Sequence, residues 1–174
     1  YSLDTGNFFG VGSDARTALE AARDFFEVRI TDILAPIIPN LPGNTWTATN
    51  PTTGAGFLFN NLTLGDEIIV FVDARNLTGS VLGVGGPGGA AASCTQAFVD
   101  SVFERGQGFG VDTTEFAPWG GSLVLDSLAT WNFDVNAGPA SGENDGLSVL
   151  LHEFGHVLGF GTAASFFNMT INGN

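Results

Sequence analysis

His152, Glu153 and His156 lie in the run Leu151-His152-Glu153-Phe154-Gly155-His156-Val157-Leu158-Gly159-Phe160-Gly161. On a helix, positions i and i+4 share one face a turn apart, so the two imidazoles can converge on a single metal ion. Glu153 is offset from His152 by about 100° around the axis. That offset lets its carboxylate reach a water on the metal without becoming a ligand itself. Zinc held by such nitrogens lowers the pKa of a bound water to about 7. The carboxylate then accepts the proton as the water attacks a carbonyl, and passes it to the leaving amine. These residue types at this spacing predict peptide hydrolysis by metal-activated water, with His152 and His156 as zinc ligands and Glu153 as general base and acid. The chain has two histidines, and both are in this motif.

Other chemistries lack their residues. A serine or cysteine nucleophile needs a histidine base, and both histidines are committed to the helix. Acids are plentiful, but no pair is singled out for glycoside hydrolysis. Asp134, Glu143 and Asp145, with Asn136 and Asn144, supply oxygens of the kind calcium takes, making calcium the second candidate cofactor after zinc. Their spacing matches no EF-hand, and a solvated acidic loop with Asp145 capping the next helix is the favoured reading. Cys94 is the only cysteine, which excludes an internal disulfide. It is expected to be a buried small hydrophobe, the alternative being a disulfide partner in sequence outside this chain.

Charge narrows the partners. Eighteen acids face five basic residues, all arginine, for a formal net charge of −13. That excludes the basic footprint a nucleic-acid binder needs, and disfavours anionic membrane surfaces. The 44% apolar content separates the chain from solvated acidic tails. The strongest apolar run, Ile68 to Val72, is strand length rather than membrane-span length. Asn-x-Thr acceptors for N-linked sugar occur at Asn61, Asn76 and Asn168. The first residues show neither an initiator methionine nor a signal peptide. Together these suggest a processed, extracellular glycoprotein.

The elements that must position the motif follow from pattern. Ser13 caps a helix whose apolar residues recur from Ala15 to Leu34, about six turns, until Pro36 stops it. Strands are expected at 45–48, 56–59, 67–73, 81–84, 122–126 and 130–134, with 67–73 apolar enough to be central. Gly85 to Gly89 is expected to be a flexible loop. Short helical pattern spans 95–104, and the motif helix spans 146–158, with Gly159 supplying the left-handed turn that ends it. Residues 136–145 are a loop. The result is an α+β fold with one sheet, organised as a single folded unit over residues 1–174.

The stretch from His152 to Gly161 resembles the metzincin zinc-peptidase signature. With Asn144 to Val149 before it and Phe160-Gly161-Thr162 after it, the stretch is similar to secreted, leishmanolysin-like bacterial metallopeptidases. Phe116 to Ser122 and Trp131-Asn132-Phe133 also resemble the segments preceding the zinc helix there. The resemblance covers about residues 115–162. It implies a zincin N-terminal subdomain with a twisted mixed sheet, a backing helix and an active-site helix. It also implies a sheet edge that takes extended polypeptide substrate by strand addition, for which 122–126 is the candidate.

One position departs from that family. The signature's third metal ligand falls on Thr162, and threonine does not serve as a ligand of catalytic zinc. From Val157 to Asn174 there is no His, Asp, Glu or Cys. The first expectation is therefore that the third ligand lies outside this chain, which would lack a C-terminal segment. The second recruits Asp145 or Glu143. The third is a non-catalytic extracellular assembly protein that kept the motif, for which 16 phenylalanines, 25 glycines and few charges would suit self-association.

Overall fold

A computed structural model describes residues 1–49, 56–57, 62–106 and 116–172. In chain order its elements are α1 (Asp14–Glu27), β1 (Thr45–Thr49), β2 (Gly56–Phe57), β3 (Ile69–Arg75), β4 (Gly83–Pro87), β5 (Ala90–Ser93), α2 (Gln96–Phe103), β6 (Gly120–Asp126), β7 (Trp131–Asn132), β8 (Asn144–Asp145), α3 (Gly146–Val157) and α4 (Ala164–Asn172). Helices and strands mix as expected of an α+β protein. The strands form three small sheets rather than one, in the orders β2-β1-β5, β3-β6-β4 and β7-β8. None of the described helices is long and apolar enough to cross a membrane.

In the β3-β6-β4 sheet, backbone bonds run from Ile69 N–H to the Trp119 carbonyl and from Ser127 N–H to the Arg75 carbonyl. The two strands thus advance together, so β3 and β6 are parallel. Gly88 N–H donates to the Gly120 carbonyl and Asp126 N–H to the Leu82 carbonyl, so β4 runs antiparallel to β6. β6 is the central strand, buried from Gly120 through Leu125. The expected central strand, β3, flanks it and buries only Phe71 and Val72. Its apolar run is the stronger of the two by residue type, but hydropathy alone does not order strands. The expected edge for substrate, 122–126, is therefore internal, and β4 is the outer strand on that side.

Contacts divide the chain into two compact units. The first comprises Tyr1–Thr31, Phe71–Gly85 and Leu123–Gly155. Here α1 starts at Ser13, whose hydroxyl accepts the Arg16 N–H at 3.2 Å, and buries Ala15, Ala18, Leu19 and Ala22. Leu123, Leu125 and Leu150 are fully buried in this unit, each worth about 1.5–3 kcal/mol of transfer free energy. The helix ends at Val28, well short of Leu34. Val28, Ile30 and Thr31 are β-branched and poor helix formers. Val28 is 71% exposed and offers the helix no apolar surface to lie on. Periodicity without burial does not hold a helix.

The second unit comprises Asp32–Val70, Gly86–Ser122 and His156–Asn174. The Trp46 and Trp119 rings meet edge to face at 5.8 Å. Their indole N–H groups donate to the carbonyls of Leu62 and Gly89. Arg105 is wholly buried there, its guanidinium donating to the backbone carbonyls of Ala35, Gly65 and Glu67 at 2.6–3.3 Å. Burial pushes its pKa downward. Cys94 is exposed, not buried, at a positive φ of 124°, with Sγ 4.0 Å from the Pro42 carbonyl. α2 lies within the span the sequence suggested and is capped by the Thr95 hydroxyl, which accepts the Phe98 N–H. α4 was not foreseen.

Candidate metal centre

α3 carries the motif, and its start is set by Asp145. One Asp145 carboxylate oxygen accepts the Ser148 N–H at 3.1 Å and the other the Ser148 hydroxyl at 2.6 Å. These bonds, the hydroxyl's foremost, hold the Asp145 carboxyl below the usual carboxylate range. Asp145 is thus a helix cap. It sits seven residues before His152, about 10 Å along the axis, and cannot share a metal with it. Glu143 accepts the Ala140 N–H at 2.9 Å and an Asn132 amide N–H at 3.4 Å. Asp134 likewise accepts the Asn136 N–H. The acidic loop uses these carboxylates to hold its own backbone.

α3 ends where glycine allows it. Gly159 has φ 97°, a left-handed conformation that costs a residue with a Cβ dearly. Between cap and stop, Leu150, Phe154 and Val157 are buried, while His152 is exposed and His156 half-buried. The two histidines therefore sit on the helix side turned from its buried stripe.

Glu153 is 6% exposed. It faces β4, and two glycines make that approach possible. A Cβ on Gly83 would lie 2.9 Å from the Glu153 Cγ and 3.0 Å from its Oε1, and a Cβ on Gly85 would overlap the Glu153 carbonyl oxygen. Of the glycine-rich segment expected to be a loop, Gly85 to Pro87 is strand and Gly88-Gly89 lies between β4 and β5; glycine is what lets the strand press on the helix. A recess of about 480 Å³ opens beside it, lined by 80–83 on one side and Ser148, Val149, His152 and Glu153 on the other. His152 and Glu153 thus border one open recess.

The His156 Nδ1 lies 2.7 Å from the Phe160 carbonyl oxygen. A carbonyl can only accept, so Nδ1 carries the proton and, in the neutral ring, Nε2 carries the lone pair. A neutral imidazole binds metal through its unprotonated nitrogen, which in this tautomer is Nε2, the other nitrogen being anchored to backbone. Two imidazoles one helical turn apart, one with its tautomer set, fit part of a zinc ligand set. Among the described residues no three His, Cys, Asp or Glu side chains are grouped to hold a metal. Thr162, at the signature's third-ligand position, donates its hydroxyl to the His156 carbonyl at 2.7 Å.

Asn76 is exposed directly after β3, and Asn168 is half-buried on α4 and engaged in an interaction. Asn61 lies outside the described residues. Sequence reasoning missed the Phe160 carbonyl, since backbone groups leave no residue-type signal. It also missed the role of Gly83 and Gly85, whose alternation with Val84 was the available clue. No protein-family model, curated protein or solved structure matches the chain.

Proposed function

We propose that this chain is the metal-binding part of a secreted zinc endopeptidase of metzincin-like, zincin fold, with the third zinc ligand supplied from outside it. The observation that carries the reading is the α3 pair itself, His152 and His156 at i and i+4, with the His156 tautomer set by the Phe160 carbonyl. Zinc bound by the pair would polarise the peptide carbonyl and activate a water for attack. Glu153, bordering the same recess as His152, would accept a proton from that water and could deliver it to the departing amine. The antiparallel outer strand β4, beside α3, is the place for an extended polypeptide substrate. Calcium has no comparable support, because the loop acids already accept hydrogen bonds from their own loop.

The test is proteolysis of an unfolded protein substrate by the natural full-length form, with and without a chelator. Chelator-sensitive cleavage that zinc restores supports the reading; cleavage indifferent to chelator overturns it. A second reading, a non-catalytic extracellular protein that self-assembles, is favoured by exposed large apolar side chains such as Val11, Val28, Ile33 and Leu128. Metal-independent oligomers without proteolysis would select it.

A further inference from the structure

The segment after α3 grips His156 from two directions. On the side-chain side, the Phe160 carbonyl accepts from Nδ1 at 2.7 Å. On the backbone side, the His156 carbonyl accepts the Gly159 N–H at 3.1 Å and the Thr162 hydroxyl at 2.7 Å. The Thr162 N–H and the Ala163 N–H both return to the Gly159 carbonyl, at 3.1 and 2.9 Å. Gly159 and Gly161, at φ 97° and 72°, make so tight a reversal possible. A Cβ on Gly161 would stand 3.5–3.6 Å from the imidazole, so its backbone packs against the ring.

Phe160 is itself 56% exposed, so side-chain packing does little to orient its carbonyl. What fixes its direction is closure of the turn, and the Thr162 hydroxyl is the side-chain group that closes it. We propose that Thr162 is a positioning residue. Standing where the signature has its third metal ligand, it locks the 159–162 turn so that the Phe160 carbonyl holds His156 in the Nδ1–H form, which puts the lone pair of the neutral ring on Nε2. The inference rests on the metal-centre reading for its consequence, and on the hydrogen bonds alone for its geometry. Outer-shell partners of this kind change metal affinity by about 10–100-fold.

The experiment uses the purified chain with ¹⁵N-labelled histidine, as wild type, Thr162→Val and Thr162→Ser. Valine keeps the shape and removes the hydroxyl; serine keeps the hydroxyl. Thr162 is exposed, so both variants retain the fold, checked by circular dichroism. Ring ¹⁵N shifts of the metal-free protein, above the imidazole titration range, report the tautomer directly. Zinc affinity is read by competition with a chromogenic chelator. Expected are the Nδ1–H form of His156 in wild type and Thr162→Ser, and a shift toward Nε2–H in Thr162→Val with zinc held about 10–100-fold more weakly. If Thr162→Val keeps both the wild-type tautomer and the wild-type affinity, Thr162 is not the lock. Failure of the underlying reading looks different: His152→Ala would then bind zinc like wild type, while the tautomer measurement still decides the lock.

Discussion

Gly85 in β4 packs directly on the backbone of Glu153 in α3, so closely that no Cβ fits between them. Gly86, next along the same strand, has open space where its Cβ would be. Seating Glu153 therefore depends on glycine at one of these adjacent positions and not at the other.

Gly85→Ala should force strand and helix apart and cost about 1–3 kcal/mol, the range for overpacking a well-packed site. Gly86→Ala should change stability by less than about 1 kcal/mol. Urea titrations of the two variants give the comparison. Equal midpoints would show that β4 does not bear on the helix.

Arg105 is held by three backbone carbonyls, those of Ala35, Gly65 and Glu67. Arg105→Met should leave these acceptors without their donor, at about 1–3 kcal/mol for each that finds no water. Arg105→Lys should rescue little, because an ammonium lacks the planar fork that reaches all three. Thermal unfolding with lysine at the wild-type midpoint would contradict this.

The Asp145 cap carries a pH signature. Its folded pKa is lowered by the Ser148 bonds, so its contribution is present above the unfolded carboxylate pKa of about 3.9. That contribution is lost as pH falls through the folded value. Asp145→Ala should cost about 1 kcal/mol near neutrality, typical of a lost cap. The gap to wild type should narrow below about pH 4. A gap independent of pH would mean that the charge on Asp145 contributes nothing to the cap.

Glu153→Gln should leave zinc affinity within a few-fold of wild type while cutting peptide hydrolysis by the full-length protein about 10²–10⁴-fold, the range for a general acid–base group. Hydrolysis and zinc binding measured on one preparation separate the two. Unchanged hydrolysis would remove Glu153 from the chemistry.

Much of the site was legible because it is local. The His152–His156 spacing, the Asp145 cap and the Gly159 stop all depend on neighbours within one helix, and residue types report them. What was illegible depends on tertiary context. The α1 pattern continued through Ile33, but Ile33 is 80% exposed and nothing in the sequence says so. Gly85 looked like loop because its purpose, like that of Gly83 in the expected strand 81–84, is to admit α3, a partner far away in the chain. β6 resembled an edge only by analogy, and its central place emerges from pairing with β3 and β4. Cys94 looked like core by residue type, yet sits exposed at a positive φ.

Zinc titration of the purified chain tests the central claim most directly, comparing wild type with His152→Ala, His156→Ala and the double variant at neutral pH. One saturable site per chain, weakened at least about tenfold in each single variant and absent in the double, is the expected result. Wild-type binding by the double variant, or no saturable site in the wild type, would contradict the assignment of this helix as a metal centre.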